Sequence, residues 1–168
     1  MKLRTNELTV CAILLAMALG LSYLESFFPL SLVIPIPGIK LGLANIVTTF
    51  SVYVLGAKQT WMILLGRCIL GAVFAGNVSA LIFSLLGGTA AVVVMILLSA
   101  CEKVSVYGVS IGGAAAHNFG QVLAAVLTLG NMAPVYYLPL LLLLSLLSGA
   151  LTGLITASLF RLLPHKND

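Results

Sequence analysis

Six apolar stretches, each bounded by Pro, Gly, Asn or a charge, lie near residues 8–28, 39–56, 59–76, 78–100, 106–130 and 135–162. Each is close to the ~20 residues with which a helix crosses a bilayer. Composition leaves little room for another reading. Of 168 residues, 61% are hydrophobic and 7% charged, whereas a soluble domain carries about 25% charged residues. A water-soluble globule is excluded. The expected fold class is an all-α membrane protein, a single bundle of about six transmembrane helices over residues 1–168 with no separate soluble domain. The third stretch is the shortest in apolar terms, because Arg67 sits near its middle.

Six spans put both termini on one side, and basic residues then choose the side. Lys2, Arg4, Lys58, Lys103, Arg161 and Lys166 fall together, against Lys40 alone on the other face, so the N- and C-termini are expected in the cytoplasm. Aromatic residues suit the same arrangement, with Tyr53, Trp61 and Tyr107 at inner ends and Tyr23, Phe27, Phe28, Tyr136 and Tyr137 at outer ends. Lys2 and Arg4 before an apolar run resemble a secretory signal, but Glu7 interrupts the basic region and further spans follow, so a retained first helix is expected. The connection 28–38 holds three prolines and is apolar, which suggests a lid folded over the outer mouth.

The acidic residues are Glu7, Glu25, Glu102 and Asp168. So few carboxylates make a Mg²⁺-holding active site hard to assemble, and neither catalytic residues, a metal site nor a cofactor is expected. Cys11, Cys68 and Cys101 lie far apart in or beside apolar runs and form no metal or disulfide pattern. The basic residues stand singly, too sparse to track a nucleic acid.

Polar groups inside membrane helices are costly and usually face the bundle interior. Arg67 stays charged at any relevant pH, so it must meet Glu25, helix carbonyls, water or an anionic ligand. His117, Asn118 and Gln121 share one broad face of the fifth span, roughly 15–21 Å in from Tyr107. Each is open to a simple interhelical hydrogen bond. Lys40, Asn45, Glu25, Asn77 and Ser79 belong to the same outer half, while the inner half is nearly pure hydrocarbon, which suits an outward-open pocket better than a pore. Small residues recur every fourth position as Ala12, Ala16 and Gly20, as Gly112, Ala116 and Gly120, and as Ser145, Gly149, Gly153 and Ala157. Such stripes let helices approach closely.

Pro37-Gly38-Ile39-Lys40-Leu41-Gly42-Leu43-Ala44-Asn45-Ile46, Gly66-Arg67, Phe83-Ser84-Leu85-Leu86-Gly87-Gly88 and Ala116-His117-Asn118-Phe119-Gly120-Gln121 resemble the motifs of the bacterial Gx transporter family. That family is also named heptaprenyl diphosphate synthase component I, and the resemblance covers essentially the whole chain. Prenyl elongation normally uses aspartate-rich motifs to hold Mg²⁺, and the one aspartate here is Asp168, so the chain does not look like the catalyst.

The Gx family is in turn similar to the substrate-binding S components of energy-coupling factor (ECF) transporters. The similarity implies a bacterial cell-membrane subunit that captures a small molecule such as a vitamin, with Ala12, Ala16 and Gly20 docking on a transmembrane coupling subunit. With no GxxxxGK[ST] in the chain, ATP hydrolysis must come from partner ATPase subunits. The expected substrate-binding set is Arg67, His117, Asn118, Gln121, Lys40, Asn45 and Glu25. One rival is a non-catalytic membrane subunit linked to prenyl diphosphate or quinone synthesis. Another is an assembly subunit of a membrane redox complex, whose polar face serves packing alone.

Overall fold

Glycines and capping side chains divide the apolar sequence into helices. The computed structural model describes residues 5–27 and 42–162, and these residues form six α-helices: α1 (Thr5–Ser26), α2 (Asn45–Val54), α3 (Ala57–Ala75), α4 (Val78–Ser99), α5 (Val106–Leu129) and α6 (Leu138–Leu162). Gly76 ends α3 in the left-handed region, at φ 60°, where a residue without a Cβ is at no disadvantage. Asn77 then starts α4, its side chain accepting a hydrogen bond from the Ser79 amide at 2.8 Å. Ser105 caps α5 in the same way through the Gly108 amide. A 3-10 turn over Ala133–Tyr137 leads into α6.

The second stretch departs from expectation. Among the described residues its helix covers Asn45–Val54 and not the full stretch to 56, and it starts no earlier because Gly42 adopts φ 85° and residues 43–44 form a turn. Ten residues rise about 15 Å, half of the ~30 Å hydrocarbon thickness. α2 is instead a buried wedge, with Asn45, Thr48, Thr49 and Ser51 all inside the protein. Its hydroxyls are satisfied locally: Thr49 Oγ1 donates to the Asn45 carbonyl, and Ser51 pairs with Thr60 of α3 at 2.9 Å.

Among the described residues, α1, α4 and the segment 133–162 are long and apolar enough to cross a membrane. Lys58 and Arg67 in α3, and His117, Asn118 and Gln121 in α5, weaken the apolar signal of those two helices. Leu143, Leu147 and Leu154 of α6 and Leu8, Ile13 and Leu24 of α1 are more than half exposed. Water would not tolerate apolar surface on this scale, and lipid requires it. The protein is an all-helical membrane protein.

α4, α5 and α6 alternate in direction, and the alternation is visible at the glycines. A Cβ on Gly113 would strike Met95, and one on Gly120 would strike the Leu86 carbonyl, so α4 and α5 run antiparallel in close contact. A Cβ on Gly149 would lie 3.1 Å from the Ile111 amide nitrogen, and one on Gly153 would lie 3.2 Å from the Tyr107 Cα, so α6 approaches α5 equally closely. Ser110 and Thr152 hydrogen-bond across that seam at 2.7 Å. α5 is therefore the central helix. α1 lies at the edge, packing against α2 and α3 and no other helix among the described elements.

Candidate functional site

Two consecutive glycines in the middle of α4 make room for the polar residues of its neighbours. A Cβ on Gly87 would lie 3.0 Å from His117 Cε1 and 3.1 Å from Gln121 Cγ, both on α5. A Cβ on Gly88 would strike Leu64 and lie 3.1 Å from Arg67 Nη2, both on α3. Glycine is otherwise unfavourable within a helix. Here the pair lets a guanidinium from α3 and an imidazole–amide pair from α5 approach the α4 backbone closely.

These groups line one small cavity. Its walls carry Glu25 and Ser22 of α1, Arg67 and Gly71 of α3, Ser84 and Phe83 of α4, His117 and Gln121 of α5, and Gly42. The volume is about 30 Å³, room for two or three waters or one compact polar group, taking roughly 10–15 Å³ per water. His117 Nε2 and Gln121 Nε2 are 3.0 Å apart and hydrogen-bonded, which fixes the face that they present. Glu25 Oε1 accepts the Gly42 amide at 2.5 Å, tying the end of α1 to the turn that precedes α2.

Arg67 is the exception in this web. It is 7% exposed and lines the cavity, yet it makes no hydrogen bond or ion pair with any described residue. The Glu25 ion pair and the carbonyl clamp open at the sequence level are both absent among the described residues. A charge removed from water costs several kcal/mol unless it is answered, and the space beside this one is the cavity.

The remaining expected residues are distributed unevenly. Asn118 lies off the cavity, where Nδ2 donates to the Leu141 carbonyl at 2.8 Å and pins α5 to α6; its geometry is that of an interhelical bond rather than a ligand contact. Asn45 sits behind Gly42 and close to His117. It is 2% exposed, and neither its amide oxygen nor its amide nitrogen has a hydrogen-bond partner among the described residues. Lys40 and the proposed lid at 28–38 lie outside the described residues. Sequence reasoning overlooked Ser22 and Gly71, and it gave Ser84, Gly87 and Gly88 only as motif. A Gly-Gly pair inside an apolar helix was the available signal. No group of three or more His, Cys, Asp or Glu side chains converges among the described residues; the cavity wall presents a guanidinium, a carboxylate, an imidazole and an amide.

Fold and cavity together define an all-helical membrane protein with a buried cation at the wall of a small polar cavity. The chain belongs to the heptaprenyl diphosphate synthase component I family, whose family model matches residues 14–159. No curated protein and no solved structure matches it.

Proposed function

We propose that this protein is a substrate-binding membrane subunit, resembling an ECF S component, that captures a small molecule with an anionic group for uptake driven by a separate ATP-hydrolysing module. It works in a bacterial cell membrane with both termini cytoplasmic, and it binds rather than catalyses. The observation that carries the reading is Arg67, buried at the cavity wall with no partner among the described residues. Arg67 meets the anion, His117 and Gln121 supply hydrogen bonds, and Asn45 and Lys40 complete the expected set. Glu25 holds the Gly42 turn at the cavity edge.

Docking on the coupling subunit falls to α1. Ala12, Ala16 and Gly20 are exposed, and a Cβ on Gly20 would meet nothing within 4 Å. The stripe is thus not consumed by packing inside the protein, which suits a partner helix.

A second reading draws on the family's name: a non-catalytic subunit that presents a prenyl diphosphate to a soluble synthase. It uses the same cation on the same kind of ligand head, but it needs neither the exposed stripe nor an ATPase.

The test is thermal stability of the purified protein with and without the small molecule that co-purifies with it, which mass spectrometry identifies. A bound ligand raises stability by RT ln(1 + [L]/Kd). Arg67→Gln is expected to abolish the ligand-induced rise while leaving the empty protein as stable as before or more so, since it removes an unanswered charge. An undiminished rise in both Arg67→Gln and His117→Ala overturns the assignment of the cavity. A vitamin-like ligand supports uptake, and a prenyl diphosphate supports the second reading.

A further inference from the structure

The polar cavity poses a problem of size. Ligand sites for small molecules usually enclose about 300–1,000 Å³, whereas the space beside Arg67 is about 30 Å³. A carboxylate or phosphate group fits there; the rest of a molecule does not. The remainder has to lie along a path that leads out of the cavity.

One path is open. Ser22 of α1 and Gly71 of α3 line the polar cavity and also line a second, larger space of about 270 Å³ between the C-terminal parts of the same two helices. Leu19, Tyr23, Phe74 and Ala75 complete its walls. Tyr23 and Phe74 are 68% and 75% exposed, so the cleft opens sideways from the bundle. α1 and α3 run parallel, with Leu15 against Gly66 and Leu19 against Gly71, and at Gly71 a Cβ would meet nothing closer than Leu19 Cδ2 at 3.9 Å. Gly71 stands at the wall that the two spaces share, and its missing side chain leaves room there.

We infer that the ligand is an amphiphile whose small anionic head enters the Arg67 cavity and whose apolar or aromatic body lies in the α1–α3 cleft, with Gly71 as the passage between them. The inference rests on the reading that the Arg67 cavity binds a ligand, and it adds the class of that ligand and the route by which it arrives. Three features bear on the occupant. The polar cavity at the inner end holds a cation without a described partner. The mouth is lined by apolar and aromatic side chains. The serines Ser22 and Ser26 mark the polar edge of the wall. The distance also suits a chain: seven residues of helix from Arg67 to Phe74 rise about 10 Å. A body lying there stays in apolar surroundings, so an amphiphile reaches the cavity from the lipid interface without crossing water.

The experiment uses the full chain in nanodiscs of phosphatidylcholine, a lipid of no net charge. The probes are decyl phosphate and decanoate, each with a diazirine near the chain end, and the photolabelled residues are mapped by mass spectrometry. Labelling by either probe is expected at Tyr23, Phe74 or Ala75, and is expected to fall about tenfold or more in Arg67→Gln, as loss of a charge-assisted hydrogen bond implies. Gly71→Leu fills the passage without meeting backbone and is expected to lower the same labelling. Label spread evenly over the outward faces of α4 and α6, or cleft label that survives Arg67→Gln or Gly71→Leu, overturns the inference. Ethyl phosphate separates the two levels of the argument. If it stabilises the protein thermally in an Arg67-dependent way while the long probes label elsewhere, the amphiphile is wrong and the anion cavity stands. If neither short nor long probe responds to Arg67→Gln, both fall.

Discussion

α1 and α6 carry the same pattern of small residues at every fourth position, and the fold uses the two in opposite ways. On α6, Ser145, Gly149 and Gly153 are buried, and the glycines bring α6 close to the backbone of α5 at Ile111 and Tyr107. On α1, Ala12, Ala16 and Gly20 are exposed, and the buried edge is formed instead by Cys11, Leu14, Ala18 and Glu25. A small-residue stripe records that something approaches closely. It does not record whether that something belongs to the same chain. The contrast divides the molecule into a tightly seamed body, α4–α6, and a peripheral helix that touches α2 and α3 alone among the described elements. The polar cavity and its cleft lie where the peripheral helix meets the rest.

The strongest way to break this comparison is at the α4–α5 seam. A Cβ on Gly120 would run into the Leu86 carbonyl and lie 2.8 Å from Gly87 Cα. These are backbone atoms that yield only if the helices part. Gly120→Leu is therefore expected to cost ~3 kcal/mol or more, at the upper end of overpacking, or to prevent folding; thermal unfolding and size-exclusion chromatography report it. A variant as stable as the parent would mean that the seam is loose and the contrast with α1 unfounded.

A smaller effect is expected where α5 is pinned to α6. Asn118→Leu removes the donor to the Leu141 carbonyl and is expected to cost about 1–2 kcal/mol while leaving ligand-induced stabilisation unchanged. If the ligand effect disappears with it, Asn118 belongs to the binding set after all.

The smallest effect on stability belongs to α1. Ala12→Leu with Ala16→Leu alters exposed positions and is expected to change stability by no more than about 0.5 kcal/mol, with binding in detergent intact. Uptake in cells is expected to be lost, because a bulky face prevents close helix docking. A large loss of stability would place the stripe inside the protein, and retained uptake would remove the role proposed for it.

Much of the site was legible before the fold. An arginine, a histidine and a glutamine in otherwise apolar helices have few places to go except the interior, and Arg67, His117, Gln121 and Glu25 do line one cavity. Asn118 shows the limit of such reasoning. It shares a broad helical face with His117 and Gln121, but 100° per residue separates neighbours enough for one to face the cavity and the next to face α6. The ten-residue α2 was illegible for a different reason. Its apolar run continues across Gly42, and the positive φ there, together with the Glu25 contact, precedes a helix that begins at Asn45.

By itself the sequence determined that the chain is helical and belongs in a membrane, because apolar runs of bilayer length leave the backbone no other way to satisfy its hydrogen bonds in lipid. It also determined which few polar side chains must find company inside. Tertiary structure alone decided which of them meet. Whether Arg67 pairs with Glu25 or faces an open cavity, and whether a stripe of alanines is packed or left free, depends on the rotation and separation of whole helices. Those are set by the sum of many side-chain contacts along each seam, such as Gly120 against Leu86 and Gly66 against Leu15, and a spacing of four residues carries no information about which neighbour fills the gap.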